Sequence, residues 1–313
     1  MNDVPEFRHP ISGRNDRMNP DSNIPPEARE TLTHCIDLKE VVQSAFKLPA
    51  MPASTVRLAA LIAGNNYNVE DVVEIVSFDP VLTLRIIRAA NSAATGGATP
   101  VTSVREAAMR TGSAQLLSLA AATHTRGIMK SALPEFGLAE GELWQHGITT
   151  ALVAELLPNY CSTPIPADAF TAALLHDIGK LNLARFLNSE TLAWLDRART
   201  EGNANALEAE REILNVHHGE LGGMIAQHWK LPDSIVKAII HHHTPEEGGT
   251  TACHTVYLAN LVAKTVQATL AGSSLALDPA PSTLAHLGTT ADQLQELCNL
   301  TSEKYTDLSA RYK

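Results

Sequence analysis

The sequence has few aromatic residues, scattered cysteines and no long apolar run. Aromatic side chains make up 4% of the 313 residues, so the core must be aliphatic, which favours helix packing. The four cysteines show no CxxC spacing that would indicate a zinc ribbon or a disulfide framework. No apolar run approaches the roughly 18 residues of a membrane span, and the polar N-terminus lacks the apolar core of a secretory signal. We therefore expect a cytoplasmic protein.

Positive charge is also scarce. Lysine and arginine total 24 against 34 acidic residues, which gives a formal net charge of −10. This balance argues against a nucleic-acid backbone or an anionic membrane as the main partner. Apolar residues make up 44% of the chain, and its length suits one large or two medium domains with proper cores.

Helical spacing of apolar residues runs through most of the chain, with no strand pattern. Residues 1–35 are polar and proline-rich and predict a flexible arm. Helical segments fill 36–135, and a loosening of composition then marks a boundary. A second set of helices carries most of the histidines over 136–271, and a linker with one more helix occupies 272–313. These patterns predict an all-α fold of two packed helical bundles.

Two local signals mark helix starts in the first bundle. Asp79 followed by Pro80 predicts an N-cap and a first helical residue. Ser103 and Glu106 have the spacing of a capping box. They open a further helix, and we expect the Ala/Leu-rich stretch 107–123 to be buried.

Histidine is abundant. The chain has 13 histidines, and ten of them fall between His124 and His254. A cluster of that density needs a reason, and a metal site is one. A purification tag is excluded because the cluster is internal.

The stretch 172–180 is the centre of this pattern. An apolar run is followed directly by His176 and Asp177, and then by Gly179 and Lys180. Neutral imidazole and carboxylate are ordinary ligands for zinc, iron or manganese, and the two side chains can coordinate one ion together at a helix end. The alternative is a capped helix C-terminus, with Gly179 as the C′ residue and the basic side chains near the helix dipole.

Other predicted helices carry further histidines that could join this pair. If the helices pack together, the candidate metal ligands are His146, His176, Asp177, His218, His242 and His243. Their order resembles the pattern of HD-superfamily metal-dependent phosphohydrolases, in which a final Asp completes the set. The matching position here is Asn260, whose neutral amide is a weaker ligand than a carboxylate and should lower the affinity for a bridged pair of metals.

A closer resemblance covers residues 38 to 270. The motifs that carry it are Leu48-Pro49-x-x-Pro52, Asp79-Pro80-x-Leu82-Thr83, Ala90-Asn91-Ser92-Ala93, Leu143-Trp144-x-His146, Leu175-His176-Asp177-Ile178-Gly179-Lys180, His218 to Gly222, Trp229-x-Leu231-Pro232 and His242-His243. In this order they are similar to an HDOD domain, a catalytically reduced or inactive branch of the HD superfamily in bacterial signalling proteins. The resemblance implies an HDOD-specific helical bundle followed by an HD-like bundle.

The resemblance also implies roles for these residues. It predicts one or two divalent transition-metal ions, with iron, manganese, zinc and nickel equally suited to the ligand types. Asp177 would bridge metals or orient a nucleophile, and Lys180 would steady a phosphate oxygen. The Gly-Tyr-Pro motif of cyclic di-GMP phosphodiesterases is missing after His243, which counts against that substrate.

Two hypotheses follow. The first is a regulatory HDOD protein without turnover, whose partner is a signalling protein or a nucleotide or phosphate ligand. The second is a metal-dependent phosphohydrolase, of phosphodiesterase or nucleotidase type, acting on a nucleotide or other phosphate ester. The nearly complete ligand set favours the second hypothesis, whereas Asn260 and the record of the family favour the first, which we prefer.

Three neighbouring residues have simpler interpretations. Glu142 lies one turn before His146 and could be an extra carboxylate ligand, but a solvated residue at a helix start is the preferred interpretation. His217 and His241 are next to candidate ligands, and we expect them to orient those ligands or to face solvent.

Overall fold

The computed structural model describes residues 38–64, 66–77, 79–91, 100–200 and 205–311. The predicted arm over 1–35 lies outside these ranges. Within them the chain is helical, and its one β-type interaction is an isolated antiparallel bridge between Leu133 and Leu138. The predicted all-α fold is confirmed.

The N-terminal half of the described chain contains α1 (Leu38–Ala45), α2 (Ala53–Ala63), α3 (Val69–Ser77), α4 (Pro80–Ala90), α5 (Val104–Thr111) and α6 (Ser113–Met129). The predicted N-cap of α4 is confirmed, because Asp79 Oδ1 accepts a hydrogen bond from the Leu82 N–H at 2.9 Å. Ser103 Oγ likewise accepts from the Glu106 N–H at 3.2 Å. The Glu106 carboxylate accepts from the Thr102 N–H instead of reaching back to Ser103, so the predicted capping box is only half formed.

The Ala/Leu-rich stretch 107–123 is divided between two helices, α5 and α6. They are separated by Gly112, whose φ is +79°. Glycine adopts positive φ without the steric cost that a β-carbon would bring, so the chain can turn sharply there. The sequence did not predict this break, because the apolar spacing on both sides of Gly112 is helical.

The C-terminal half contains α7 (Glu142–Leu156), α8 (Ala169–Leu175), α9 (Gly179–Leu183), α10 (Ser189–Thr200), α11 (Ala206–Leu214), α12 (His218–His228), α13 (Asp233–Ile240), α14 (Pro245–Gly248), α15 (Thr251–Leu270), α16 (Pro281–Leu287) and α17 (Ala291–Arg311). The helix α16 was not predicted. It lies within 272–313, where the sequence predicts a linker and a single helix. None of the helices in the described chain is both long and apolar enough to cross a bilayer.

One large apolar cluster runs through both halves. It includes Leu117 of α6 and Leu174 of α8, both completely buried, because α6 packs directly on α7 and α8. The helix α1 packs elsewhere: its Val41 side chain joins a smaller cluster with Leu183 and Leu221. The Val41 carbonyl also accepts a hydrogen bond from the Asn182 amide at 2.8 Å. The first described helix therefore lies against α9 and α12 of the C-terminal half.

Gly179 does not cap a helix. It is the first residue of α9, and its φ is not positive. A β-carbon at this position would overlap the carbonyl oxygen of His218 and crowd the amide nitrogen of Gly222. The C-cap interpretation is therefore wrong: the missing side chain lets α9 and α12 approach at backbone contact. This contact places Asp177 next to the start of α12.

Candidate metal centre

The residues predicted as ligands meet at one place in the C-terminal half, and most of them lie at helix ends. They come from α7, from the turn between α8 and α9, from the start of α12, from the end of α13 and from α15. In chain order they are His146, His176, Asp177, His218, His242, His243 and Asn260. All are buried except His243, which is half-buried.

The first group consists of His146, His176 and Asp177, whose ligand atoms all lie within 4.8 Å of one another. The two Nε2 atoms of its histidines are 3.2 Å apart. Asp177 Oδ2 is 3.4 Å from His176 Nε2 and 3.7 Å from His146 Nε2. Asn260 lies with this group, since its Oδ1 is 3.1 Å from His146 Nε2.

The second group consists of His218, His242 and His243, again with ligand atoms within 4.8 Å of one another. His218 Nε2 is 3.3 Å from His242 Nε2 and 3.2 Å from His243 Nε2. Two nitrogens bound tetrahedrally to one zinc ion, at Zn–N distances of about 2.0–2.1 Å, are about 3.3–3.4 Å apart. The spacing in both groups therefore fits donors that share a metal ion.

Asp177 connects the two groups. While Oδ2 faces the first group, Oδ1 is 3.4 Å from His218 Nε2 and 3.7 Å from His242 Nε2 in the second. The side chain is buried, and Oδ1 receives no hydrogen bond from the described residues. A buried carboxylate oxygen without a donor is costly, and a cation would satisfy it.

Asp177 is ionised. Burial by itself would raise the pKa of this carboxyl group. The Lys180 ammonium, 2.7 Å from Oδ2, and the neighbouring His176 outweigh burial and hold the pKa well below its ordinary value. The Lys180 ammonium also lies 5.8 Å from the centre of the Phe136 ring. The buried carboxylate of Asp177 is therefore paired with the ammonium group of Lys180.

Four of the imidazole rings have a hydrogen-bond acceptor at Nδ1. The acceptors, at 2.7–2.8 Å, are the Ala173 carbonyl for His176, the Ile239 carbonyl for His242, the Gln267 amide oxygen for His146 and the Glu210 carboxylate for His218. Because Nδ1–H donates, the Nε2 lone pair of each ring points into the centre. Lone pairs that face each other at 3.2–3.3 Å have no proton to share, and a cation between them resolves the conflict.

Three of the candidate histidines are held in the neutral form that binds metals. Burial lowers the pKa of His146 to about 3 and that of His243 to about 2, with neighbouring histidines adding to the effect. Burial also places the pKa of His242 well below its ordinary value. Metal ligation requires deprotonated imidazole, so these rings need not lose a proton at neutral pH before they bind an ion.

Two residues that hold the histidines were not predicted from the sequence. Glu210 is buried on α11, and one of its oxygens accepts from both the backbone N–H and the ring N–H of His218. Nothing in the sequence connects this glutamate to the centre, because the contact depends on how α11 packs. Gln267 lies seven residues after Asn260 on α15, a spacing that puts both on one helix face, and this signal was available.

Replacing Glu210 by glutamine is expected to weaken metal binding by the second group about 10- to 100-fold, the usual effect of losing an outer hydrogen-bond partner of a ligand. A neutral amide oxygen accepts from His218 more weakly than a carboxylate, so the ring is a poorer donor to the metal. Competition with a chromophoric chelator measures the affinity. The matched control is Glu212→Gln on the same helix, and equal affinities in Glu210→Gln and wild type would contradict the prediction.

The neighbouring residues have structural roles. Glu142 is exposed, as preferred, and its carboxylate accepts from the Ala139 N–H at 2.8 Å. His217 is buried, which excludes the solvent-facing alternative and leaves the orienting one. Its Nδ1 accepts from the N–H groups of Gly219 and Glu220, which makes it the N-cap of α12. It therefore fixes the start of the helix whose first residue is His218.

Comparison with known proteins places these observations in a family. The family model of the HDOD domain matches residues 48–245. A curated protein of Treponema pallidum (strain Nichols), named only as uncharacterized, is 25% identical over 205 residues. That match covers 64% of this chain and 39% of the relative, so the chain spans about two fifths of the relative's length.

Solved structures share the fold. An HDOD domain protein of unknown function from Geobacter sulfurreducens has a TM-score of 0.62 at 21% identity, over 88% of this chain and 98% of its own. A "Putative phosphohydrolase" from Shewanella amazonensis has a TM-score of 0.60 at 24% identity, over 87% and 98%. A "Putative signal transduction protein" from Marinobacter aquaeolei has a TM-score of 0.66 at 20% identity, over 91% and 65%. Because the HDOD model matches well over half of the chain, this protein belongs to the HDOD family.

Proposed function

We propose that this protein is a regulatory HDOD protein whose buried histidines and Asp177 bind one or two divalent transition-metal ions. The observation that carries the proposal is the convergence of imidazole Nε2 lone pairs around Asp177, which has one oxygen without a donor. Nitrogen-rich ligation with a carboxylate suits iron, manganese, zinc or nickel. Membership of the HDOD family supports a role in signal transduction, with a protein or a phosphate-bearing molecule as partner.

The two groups offer different donor sets. The first would hold a metal through His146, His176 and Asp177 Oδ2, with Asn260 as a neutral fourth donor. The second would use three imidazoles and Asp177 Oδ1. Because an amide oxygen neutralises none of the charge of a cation and Lys180 already pairs with Oδ2, we expect the second group to bind its metal more tightly.

Metal-dependent hydrolysis of a phosphate ester is the second candidate function. It is favoured by the position of Asp177 between the groups, with Lys180 beside it. A divalent metal supplies Lewis acidity, which polarises a phosphoryl oxygen and lowers the pKa of a water molecule. In this chain Asp177 would orient the reacting groups, and Lys180 would neutralise charge on a phosphate oxygen.

Metal content tests the proposal. Protein purified without a His-tag or a metal column is analysed by mass spectrometry, beside the double variant His176→Ala, Asp177→Ala. We expect one or two equivalents in the wild type and a loss in the variant. Wild-type protein that stays empty after incubation with iron, manganese and zinc would refute the metal centre.

A screen of phosphate esters with metal-loaded protein separates the two candidate functions. Turnover that disappears in the double variant would establish the phosphohydrolase. Full metal content without turnover on any phosphomonoester or phosphodiester would leave the regulatory function.

A further inference from the structure

We propose that Lys264 and Lys180 together form an anion-binding site that holds a phosphoryl group against the candidate metal centre. The proposal deepens the proposed function and rests on it, because it names the chemical class of ligand that the centre takes, a phosphate or a phosphate ester. It assigns a role to Lys264, a residue that neither the motif pattern nor the set of candidate metal ligands includes.

The position of Lys264 on α15 directs it to the centre. Asn260, Lys264 and Gln267 are spaced four and three residues apart, which places them on one face of the helix. The residues on either side of Lys264 along this face both contact His146: Asn260 Oδ1 lies 3.1 Å from Nε2, and Gln267 Oε1 lies 2.8 Å from Nδ1. The face that carries Lys264 is therefore the one that α15 turns towards the centre.

The electrostatic neighbours of Lys264 agree with this position. It is coupled to the charges of Asp177 and Lys180, and it contributes to the low pKa of His243. Burial, together with the Lys180 ammonium, lowers the pKa of Lys264 below its ordinary value, while Asp177 opposes the shift. These electrostatic interactions agree with a position of Lys264 beside the two groups of ligands.

The ammonium of Lys264 has no counterion among the described residues. It forms no ion pair and no hydrogen bond there, whereas the nearby carboxylate, Asp177, pairs with Lys180 at 2.7 Å. Two largely buried ammonium groups thus share one carboxylate. An unpaired cation of this kind is costly to bury, and cationic metals bound by the histidines would raise the cost further.

A phosphoryl group would supply the anionic hydrogen-bond acceptor that the two ammonium groups lack. It carries negative charge and several acceptor oxygens, so it can accept from both ammonium groups while other oxygens face the histidines. A chloride ion carries a single negative charge and has no separate oxygens that could accept from both ammonium groups. We therefore expect Lys264 to contribute to the affinity for phosphate and to oppose, rather than assist, the binding of the metal itself.

Calorimetric titration with inorganic phosphate tests the proposal on the full chain, with and without bound metal. The variants are Lys264→Met, Lys264→Arg and, as a matched control, Lys304→Met, which removes an exposed lysine from α17. We expect Lys264→Met to bind phosphate about 10- to 100-fold more weakly, the usual effect of losing one charge-assisted hydrogen bond. Lys264→Arg keeps the charge and should retain most of the affinity, and Lys304→Met should match the wild type.

Two further measurements separate the possible failures. Thermal unfolding in phosphate-free buffer shows whether Lys264→Met folds; we expect it to be at least as stable as the wild type, because it removes an unpaired buried charge. Metal content, measured in every variant, shows whether the metal centre exists. A wild type that binds no metal refutes the proposed function. Phosphate titrations of the metal-free protein still test the anion site in that case.

Phosphate affinity that is unchanged in Lys264→Met, with and without metal, would overturn the proposal. So would a wild type that binds no phosphate in either form. If phosphate binds as expected, an assay with bis(4-nitrophenyl) phosphate distinguishes a substrate from a regulatory ligand. Turnover that depends on Lys264 indicates that the site binds the phosphate of a substrate. Binding without turnover indicates a regulatory ligand.

Discussion

Asp177→Asn is expected to abolish metal binding in both groups at once. One oxygen of Asp177 faces His176 and the other faces His218, so the side chain supplies the only carboxylate among the candidate ligands of either group. Loss of an outer-shell partner typically costs about 10- to 100-fold in affinity, and loss of a charged ligand should exceed that range. The amide of asparagine keeps the size of the side chain, which isolates the effect of charge.

Metal stoichiometry and affinity check this prediction. Asp168→Asn is the matched control, since Asp168 is another buried aspartate of the same half and contacts Ser234, away from the histidines. His146→Ala provides the contrast, because it should empty the first group and leave the second occupied. Retention of wild-type affinity by Asp177→Asn would refute the role of this residue as the connection between the groups.

Acidification from pH 7 to pH 5 is expected to destabilise the metal-free protein strongly. In the folded state the pKa of His146 is about 3 and that of His243 about 2, whereas an unfolded chain restores the ordinary value of 6.5. Below pH 6.5 the unfolded chain therefore binds protons that the folded protein does not. The free energy of unfolding consequently decreases as the pH is lowered. Each of these histidines contributes about 2 kcal/mol of loss by pH 5.

Asp177 affects the free energy of unfolding below the pH range from 7 to 5. Its lowered pKa stabilises the folded protein above the ordinary carboxyl range, and that contribution disappears only as the pH falls through and below that range. Destabilisation between pH 7 and pH 5 therefore reports on the buried histidines. Urea unfolding of chelator-treated protein at three pH values measures the slope, and His146→Gln should make it shallower by about one proton. A free energy of unfolding that is constant from pH 5 to pH 7 would contradict the prediction.

The sequence predicted the fold class and the identities of the candidate ligands. Helical spacing and the caps at Asp79 and Ser103 are local, so they can be read without knowledge of tertiary contacts. The adjacent His176 and Asp177 were also a local signal, and the structure brings them together with the other predicted histidines. Their function as metal ligands stays a prediction.

The division of the ligands into two groups could not be predicted, because it depends on how five separate segments pack. The support from Glu210 has the same origin, since a buried acidic residue on an amphipathic helix looks like any other member of its polar face. Gly179 was misinterpreted for a related reason. A glycine after an apolar run fits both a C′ residue with positive φ and a point of close helix approach, and only the partner helix distinguishes them.

The contact at Gly179 limits which amino-acid substitutions the centre can accept during evolution. A ligand can be exchanged for another side chain one position at a time, because imidazole, amide and carboxylate differ mainly in donor strength. The backbone of α9 rests on the carbonyl of His218, however, and a hard contact of this kind has no rotamer through which it can relax. A chain that retains every histidine but has a larger residue at position 179 would therefore hold the two groups of ligands at the wrong separation. The smallest residue of the motif is thus a stricter marker of an intact centre than any one of the ligands.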